Sequence, residues 1–247
     1  GTVAGVAAGG IVGAAATRAQ IHPGSAGPSP LLLHSPDLEA WAWSESAVPE
    51  IAAGRGSSGT ALSLHAHASR HRFHRDLPAG DCLAYGGKTY LGPLIEAQRG
   101  QPLELTYRNE IAAHPFARDM DTSLHGLGEE VRRTAPTSLH LHGGVTPPDS
   151  DGHPEHESRY GQGHVYRFPN DQPAALLWYH DHAMAITRVN TNAGLAGPYL
   201  LRDEWDTGLP GNPLGLPAGE FEIPLVMQDK IVTADGSISL RSTWVVP

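Results

Sequence analysis

One cysteine in 247 residues excludes an intrachain disulfide, so Cys82 is expected as a buried thiol and the fold must rest on its core. Basic residues are also scarce. Seventeen Lys and Arg stand against 26 Asp and Glu, a formal charge of -9, and no stripe of cations gathers to release counterions from a phosphate backbone. A nucleic-acid partner is therefore not expected. No apolar run reaches the roughly 20 residues that span a bilayer, so no stable membrane anchor is expected. The opening GTVAGVAAGGIVGAAATRAQ is weakly apolar and rich in Gly and Ala, with Ala14 and Ala16 suited to an A-x-A cleavage site. It resembles an export signal of the twin-arginine kind whose charged start is missing, which predicts an exported protein with a longer amino end.

Long helical periods are absent as well. What is present is a series of short apolar runs punctuated by Gly and Pro: TALSLHAHA, YLGPLIEA, PLELTYRN, PTSLHLHG, GHVYRFP, AALLWYH, GPYLLRD and EIPLVMQD. Many short strands at close spacing predict an all-β antiparallel sandwich or barrel, with one helical turn around 183–189. The Gly/Pro-dense DEWDTGLPGNPLGLPAGE forbids a regular element and reads as a linker. The expected organisation is an export-signal-like segment over 1–27, an extended arm with Trp41 and Trp43 over 28–59, a first domain over 60–205, a linker over 206–221, and the start of a second domain over 222–247.

Histidine is abundant, with 15 copies, and four form two His-x-His pairs: His140 and His142 in TSLHLHGGVTPPDSDG, then His180 and His182 in AALLWYHDHAMAITRVNTNAGLAGPYLLRD. Side chains of a strand alternate between faces, so each pair sends both imidazoles one way. Leu139, Leu141, Leu177 and Tyr179 then fall on the opposite face and anchor the strands in a core. Rigidly held imidazoles suit copper or zinc.

Both segments resemble the first two histidine motifs of the multicopper oxidases, in the bacterial group of spore-coat laccases, bilirubin oxidase and phenoxazinone synthase. The resemblance extends to HRFHRDLPAGDCLAYGGKTYLGPLIEAQRGQPLELTYRNE, to DMDTSLHGLGEEVRRTAPTSLHLHGG and to EIPLVMQDKIVTADGSI, and covers roughly residues 62–238. It implies a cupredoxin-like Greek-key domain, with a second such domain beginning near Glu222. It also implies copper as the cofactor, dioxygen as the oxidant reduced to water by four electrons, and a small phenolic, aminophenolic or similar reducing substrate. Residue by residue, His140 matches the type 2 copper ligand, His142 and His180 match ligands of one type 3 copper, and His182 matches a ligand of the other. Asp151 matches an acidic residue that assists proton delivery beside the trinuclear centre. The same DSDG is also an ordinary turn signal in which Asp caps its own backbone.

The family pattern is incomplete here. Cys82 sits in AGDCLAYGG without flanking histidines, so no type 1 copper site is encoded, and two further His-x-His pairs are missing. The resemblance therefore implies an amino-terminal portion that supplies half of the trinuclear ligands and needs a carboxy-terminal cupredoxin domain or a complementary chain. The isolated chain is expected to be inactive. A short copper-binding module without turnover, or one completing its cluster with another chain, is the alternative.

Other patterns carry bland expectations. His65 and His67 have pair spacing, but Leu62, Leu64 and Ala66 supply the buried face, so these imidazoles are expected toward solvent. GKT at 87–89 recommends no phosphate loop, because Cys82 stands where the required glycine belongs. His125, His153, His156 and His164 are expected in solvated or supporting loop positions. Asp181 should point away from the imidazole face and orient a neighbouring ring or backbone. Trp178 and Tyr179 are expected to pack.

Overall fold

Residue-by-residue alternation is plainest in LELTYRN, where Leu103, Leu105, Tyr107 and Asn109 are buried while Glu104, Thr106 and Arg108 face outward. In the computed structural model the described residues are 51–52, 60–120, 122–123 and 126–239. The segments read from sequence as an export signal, most of the arm, and residues 240–247 lie outside them, as does His125. In chain order the strands are β1 (Ile51–Ala52), β2 (Thr60–His71), β3 (Gly80–Tyr85), β4 (Leu94–Gln98), β5 (Leu103–Asn109), β6 (Leu139–His142), β7 (Gly163–Phe168), β8 (Ala175–Asp181), β9 (Ala196–Arg202), β10 (Ile231–Val232) and β11 (Ile238–Ser239). Two short helices join them, α1 (Glu129–Thr134) and α2 (Thr187–Ala193).

One sheet has the order β3-β2-β5-β7 and the other β1-β4-β9-β8-β6. Parallel pairs β2/β5 and β4/β9 sit among antiparallel neighbours, so the chain crosses repeatedly between sheets instead of meandering. This is the all-β, cupredoxin-like Greek-key sandwich that the resemblance implied. Between the sheets lies one contiguous core in which Leu64, Leu83, Ile95, Leu105, Leu139 and Tyr179 are buried. Burying a large apolar side chain of this kind contributes roughly 1.5–3 kcal/mol. Buried tyrosines bring hydroxyls that must be satisfied. Tyr179 donates to Pro93 O, Tyr199 to Asn170 Oδ1 and Tyr107 to Thr137 Oγ1, each at 2.6 Å. Cys82 is buried as expected, with its thiol pointed at Thr89 O and its pKa pushed up to about 12 by burial.

Several elements differ from the sequence expectation. The helix expected over 183–189 begins later, at Thr187, because residues 183–186 form a turn in which Ala185 takes φ 61°. A second helix, α1, was not anticipated. It buries no side chain and so has no apolar period, but Glu129 and Glu130 in its first turn and Arg132 and Arg133 in its last complement the helix dipole. EIPLVMQD at 222–229 was expected as a strand and forms none. It has the composition of one without a neighbouring strand to bond, and Ile223, Leu225 and Met227 are exposed. Pairing resumes in the β10/β11 hairpin, whose Ile238 joins the core.

The Gly/Pro-dense stretch after β9 is held by one buried cation. Arg202 donates to Glu96 at 2.7 Å, to Asp206 at 2.9 Å and to both carboxylate oxygens of Glu222 at 2.6 and 2.8 Å. A buried guanidinium needs such partners to offset its desolvation, and here they tie the far end of the loop to β4.

Candidate metal centre

β6 and β8 pair antiparallel with His140 opposite His180, His142 opposite Trp178 and Leu139 opposite Asp181. Directly opposed residues share a face. Leu139, Leu141 and Tyr179 therefore enter the core, with Leu177 half-buried against it, while the imidazoles gather on the other side. His182 follows one residue beyond the end of β8.

Four rings converge. The His140 ring centroid lies 5.5 Å from that of His142, 5.4 Å from His180 and 5.1 Å from His182. His180 is 5.4 Å from His142 and 5.7 Å from His182. Ring nitrogens of His140, His142 and His180 all lie within 4.8 Å of one another. His182 stands beside this trio, on the His140 side.

The nitrogen that is free on each ring follows from the partner of the other. His140 Nδ1 faces Asp151 O at 2.5 Å and His180 Nδ1 faces Asp181 O at 2.7 Å. A carbonyl can only accept, so both Nδ1 atoms carry the proton and both Nε2 atoms present lone pairs. His182 Nδ1 lies 3.4 Å from Thr187 Oγ1, whose own proton goes to Ala183 O, so the same tautomer is favoured there. His142 Nδ1 is 3.2 Å from His180 Nε2, two nitrogens pointed at one spot. Burial pushes the His180 pKa down to about 4, and it also lowers that of His182. Both rings are neutral at pH 7, the state a metal requires.

Surrounding residues hold this arrangement. Gly152 takes φ 76°, and a Cβ there would collide with the Leu139 carbonyl, so only glycine lets the loop press against β6 and bring Asp151 O to His140. The Asp151 carboxylate is half-exposed, accepts from Thr146 Oγ1 at 3.1 Å and lies 3.7 Å from His140 Nδ1. Trp178 stacks on His180 at 4.1 Å and on His142 at 5.2 Å, with 39% of its surface exposed, so its packing is against the imidazoles. Asp181 points away from the imidazole face, as alternation required. It is fully buried, and its oxygens accept the backbone N–H of Ser138 and Ala183 and the side-chain amide of Asn190. Burial raises its pKa to about 7 against these donors, which favour the ionised form.

Asn190 and His114 were not singled out by sequence reasoning. His114 is a lone polar residue outside any motif, and Asn190 lies in α2 among Thr187, Arg188, Thr191 and Asn192, so nothing in the sequence set it apart from its polar neighbours. The remaining histidines stand apart. His65 and His67 are half-buried on the outer side of β2, with His67 Nε2 donating to Gly86 O at 2.6 Å. His153 and His156 are exposed in the loop after Asp151. His164, expected in a loop, lies near the start of β7, exposed but on the same side as Tyr166, with Nε2 on Asp149 O at 2.8 Å. Residues 87–89 form a turn toward β4 and no helix follows them.

Neutral imidazole nitrogens suit copper, zinc, iron or nickel, and the divalent affinity order favours copper among them. The donor set fits the implied copper ions. No helix among the described residues is long and apolar enough to cross a membrane.

Residues 129–206 match the family model for multicopper oxidase. A laccase of Bacillus subtilis (strain 168) is 38% identical over 176 residues, which cover 68% of this chain and 33% of the laccase. The multicopper oxidase LPR1 homolog 1 of Oryza sativa subsp. japonica is 37% identical over 202 residues, covering 75% of this chain and 33% of that protein. The crystal structure of a multi-copper oxidase from Pediococcus acidilactici superposes with a TM-score of 0.62 at 22% identity, over 84% of this chain and 38% of that one, and supports the fold. The chain thus spans about a third of the length of these curated relatives. By its sandwich, by the two strands that carry its histidine pairs and by these relatives, it belongs to the multicopper oxidase family.

Proposed function

We propose that this chain is the amino-terminal part of a laccase-like copper oxidase and contributes half of a trinuclear copper site through His140, His142, His180 and His182. Residues 60–205 form its first cupredoxin-like domain, 206–221 a linker, and 222–247 the beginning of a second. The observation that carries this reading is the convergence of four imidazoles on one side of the β6/β8 ladder. Bound copper would supply the redox capacity to reduce dioxygen to water with electrons drawn one at a time from a phenolic, aminophenolic or similar small substrate. His140 is assigned to the type 2 ion, His142 and His180 to one type 3 ion, and His182 to the other. The 3.2 Å approach of His142 Nδ1 to His180 Nε2 supports grouping those two.

The chain's own residues bind, orient and move protons. Asp151 and Asp181 carbonyls hold the Nδ1 protons of His140 and His180, leaving Nε2 for the metal. The Asp151 carboxylate, half in water and 3.7 Å from His140, is placed to pass protons from solvent into the site. Export, in keeping with copper chemistry outside the cytoplasm, is part of the proposal.

A second reading, a copper-holding module that completes its cluster with another chain, draws support from the openness of the face. Leu176, on the imidazole side of β8, is 61% exposed. Both readings require a complementary cupredoxin surface. They separate in a protein that joins this chain to a type 1 copper domain. There, His180→Ala is expected to abolish dioxygen consumption while leaving the blue absorption of the type 1 copper intact. Undiminished oxygen consumption would remove the ligand assignment, and copper binding without consumption in the unaltered protein would favour the module.

A further inference from the structure

We propose that His114, Asn190 and Asp181 form a buried hydrogen-bonded chain that positions the His140–His182 side of the site, which makes His114 a positioning residue for metal binding. The inference rests on the copper reading above. His114 Nδ1 accepts the backbone N–H of Phe116 at 3.1 Å, so the neutral ring carries its proton on Nε2, which donates to Asn190 Oδ1 at 2.8 Å. That fixes the Asn190 amide. Its Nδ2 donates to Pro136 O at 3.1 Å and to Asp181 Oδ2 at 2.9 Å. Turning the amide over would set Nδ2 against the His114 N–H and Oδ1 against two acceptors, so a single orientation survives. Asp181 then accepts Ser138 N at 2.9 Å through Oδ1 and Ala183 N at 3.2 Å through Oδ2. Every donor in the chain meets an acceptor, and all three side chains are at most 5% exposed.

The anchored backbone points decide what the chain does. Pro136 and Ser138 lead into His140, and Ala183 follows His182. The β6/β8 ladder ends at the Leu139–Asp181 pair, so His140, His142 and His180 are set by the ladder, His140 next to its end, while His182 lies beyond it. Past that point the backbone is held by His182 N on Ser138 O at 2.7 Å and by the Asp181 and Asn190 side chains. Loss of the buried chain should therefore loosen His182 against His140 and spare the His142–His180 pair.

The test measures Cu2+ affinity of the full chain by chelator competition, alongside the electron paramagnetic resonance spectrum of bound copper and the ring 15N shifts of the metal-free protein. His114→Phe and Asn190→Ala are expected to weaken binding about 10- to 100-fold, the range typical of groups that orient ligands. The ring shifts of His182 and His140 should move more than that of His142. His114→Gln, which keeps a donor for Asn190, should restore most of the affinity. Leu103→Ala, a core truncation on the other sheet, should lower thermal stability and leave affinity unchanged. The proposal is overturned if folded His114→Phe, or Asn190→Ala where the former does not fold, binds copper as the unaltered chain does with the same spectrum. It is equally overturned if affinity in Leu103→Ala falls in step with stability. Failure of the unaltered chain to bind copper, both alone and joined to its complementary cupredoxin domain, would instead refute the copper reading, and the ring shifts would still report on the positioning chain.

Discussion

His114 pairs with no charge and binds nothing in its own right, yet burial pushes its pKa down to about 4. The sign of its effect on stability follows. In the unfolded chain the ring takes a proton near pH 6.5, whereas the folded ring resists it, so between these values the unfolded state binds more protons. Its contribution is intact above pH 6.5 and is lost as pH falls toward 4, a change on the order of 3 kcal/mol. Metal-free protein should therefore lose thermal stability over this window, and His114→Gln should lose visibly less. An identical acid profile for the variant, followed by circular dichroism, would mean that His114 is already protonated or exposed. His180 acts with the same sign, since burial also holds its pKa near 4, so a residual slope is expected in the variant.

Elements show where physical pattern was readable in the chain and where it was not. β5 and β7 alternate or carry β-branched and aromatic residues, and the two His-x-His strands declared both their face and their core side. β3 was harder because GDCLAY is buried at nearly every position, which removes the period that marks a half-exposed strand. α1 has no buried side chain to reveal a helical stripe, and 222–229 has strand composition without a partner strand. Within the site, the paired histidines and Asp181 were legible from spacing alone. His114 and Asn190 were not, because they meet the site through folding, 76 positions apart. The loop between β6 and β7 offers a test at this scale. Gly152→Ala forces a left-handed backbone on a residue with a Cβ and drives that atom into Leu139 O, a strain of roughly 1–3 kcal/mol. Thermal unfolding should drop by several degrees and copper affinity should fall as Asp151 O leaves His140. Unchanged values of both would show that the loop does not hold that ring.

Across the whole molecule, the sandwich supplies a rigid frame on one side and an open histidine face on the other. The hydroxyls of Tyr107, Tyr179 and Tyr199 are satisfied internally, and Arg202 binds three acidic groups from the sheet and the following loop. The imidazole face, by contrast, carries exposed Trp178 and Leu176. The formal charge of -9 is compatible with attracting cationic metal. Everything functional depends on whether those four rings take copper. Anomalous diffraction at the copper edge from crystals of the copper-loaded chain answers this directly. The account predicts density at the convergence of His140, His142, His180 and His182, on the Nε2 side of His140 and His180. Copper bound only elsewhere, with these imidazoles unliganded, would contradict it.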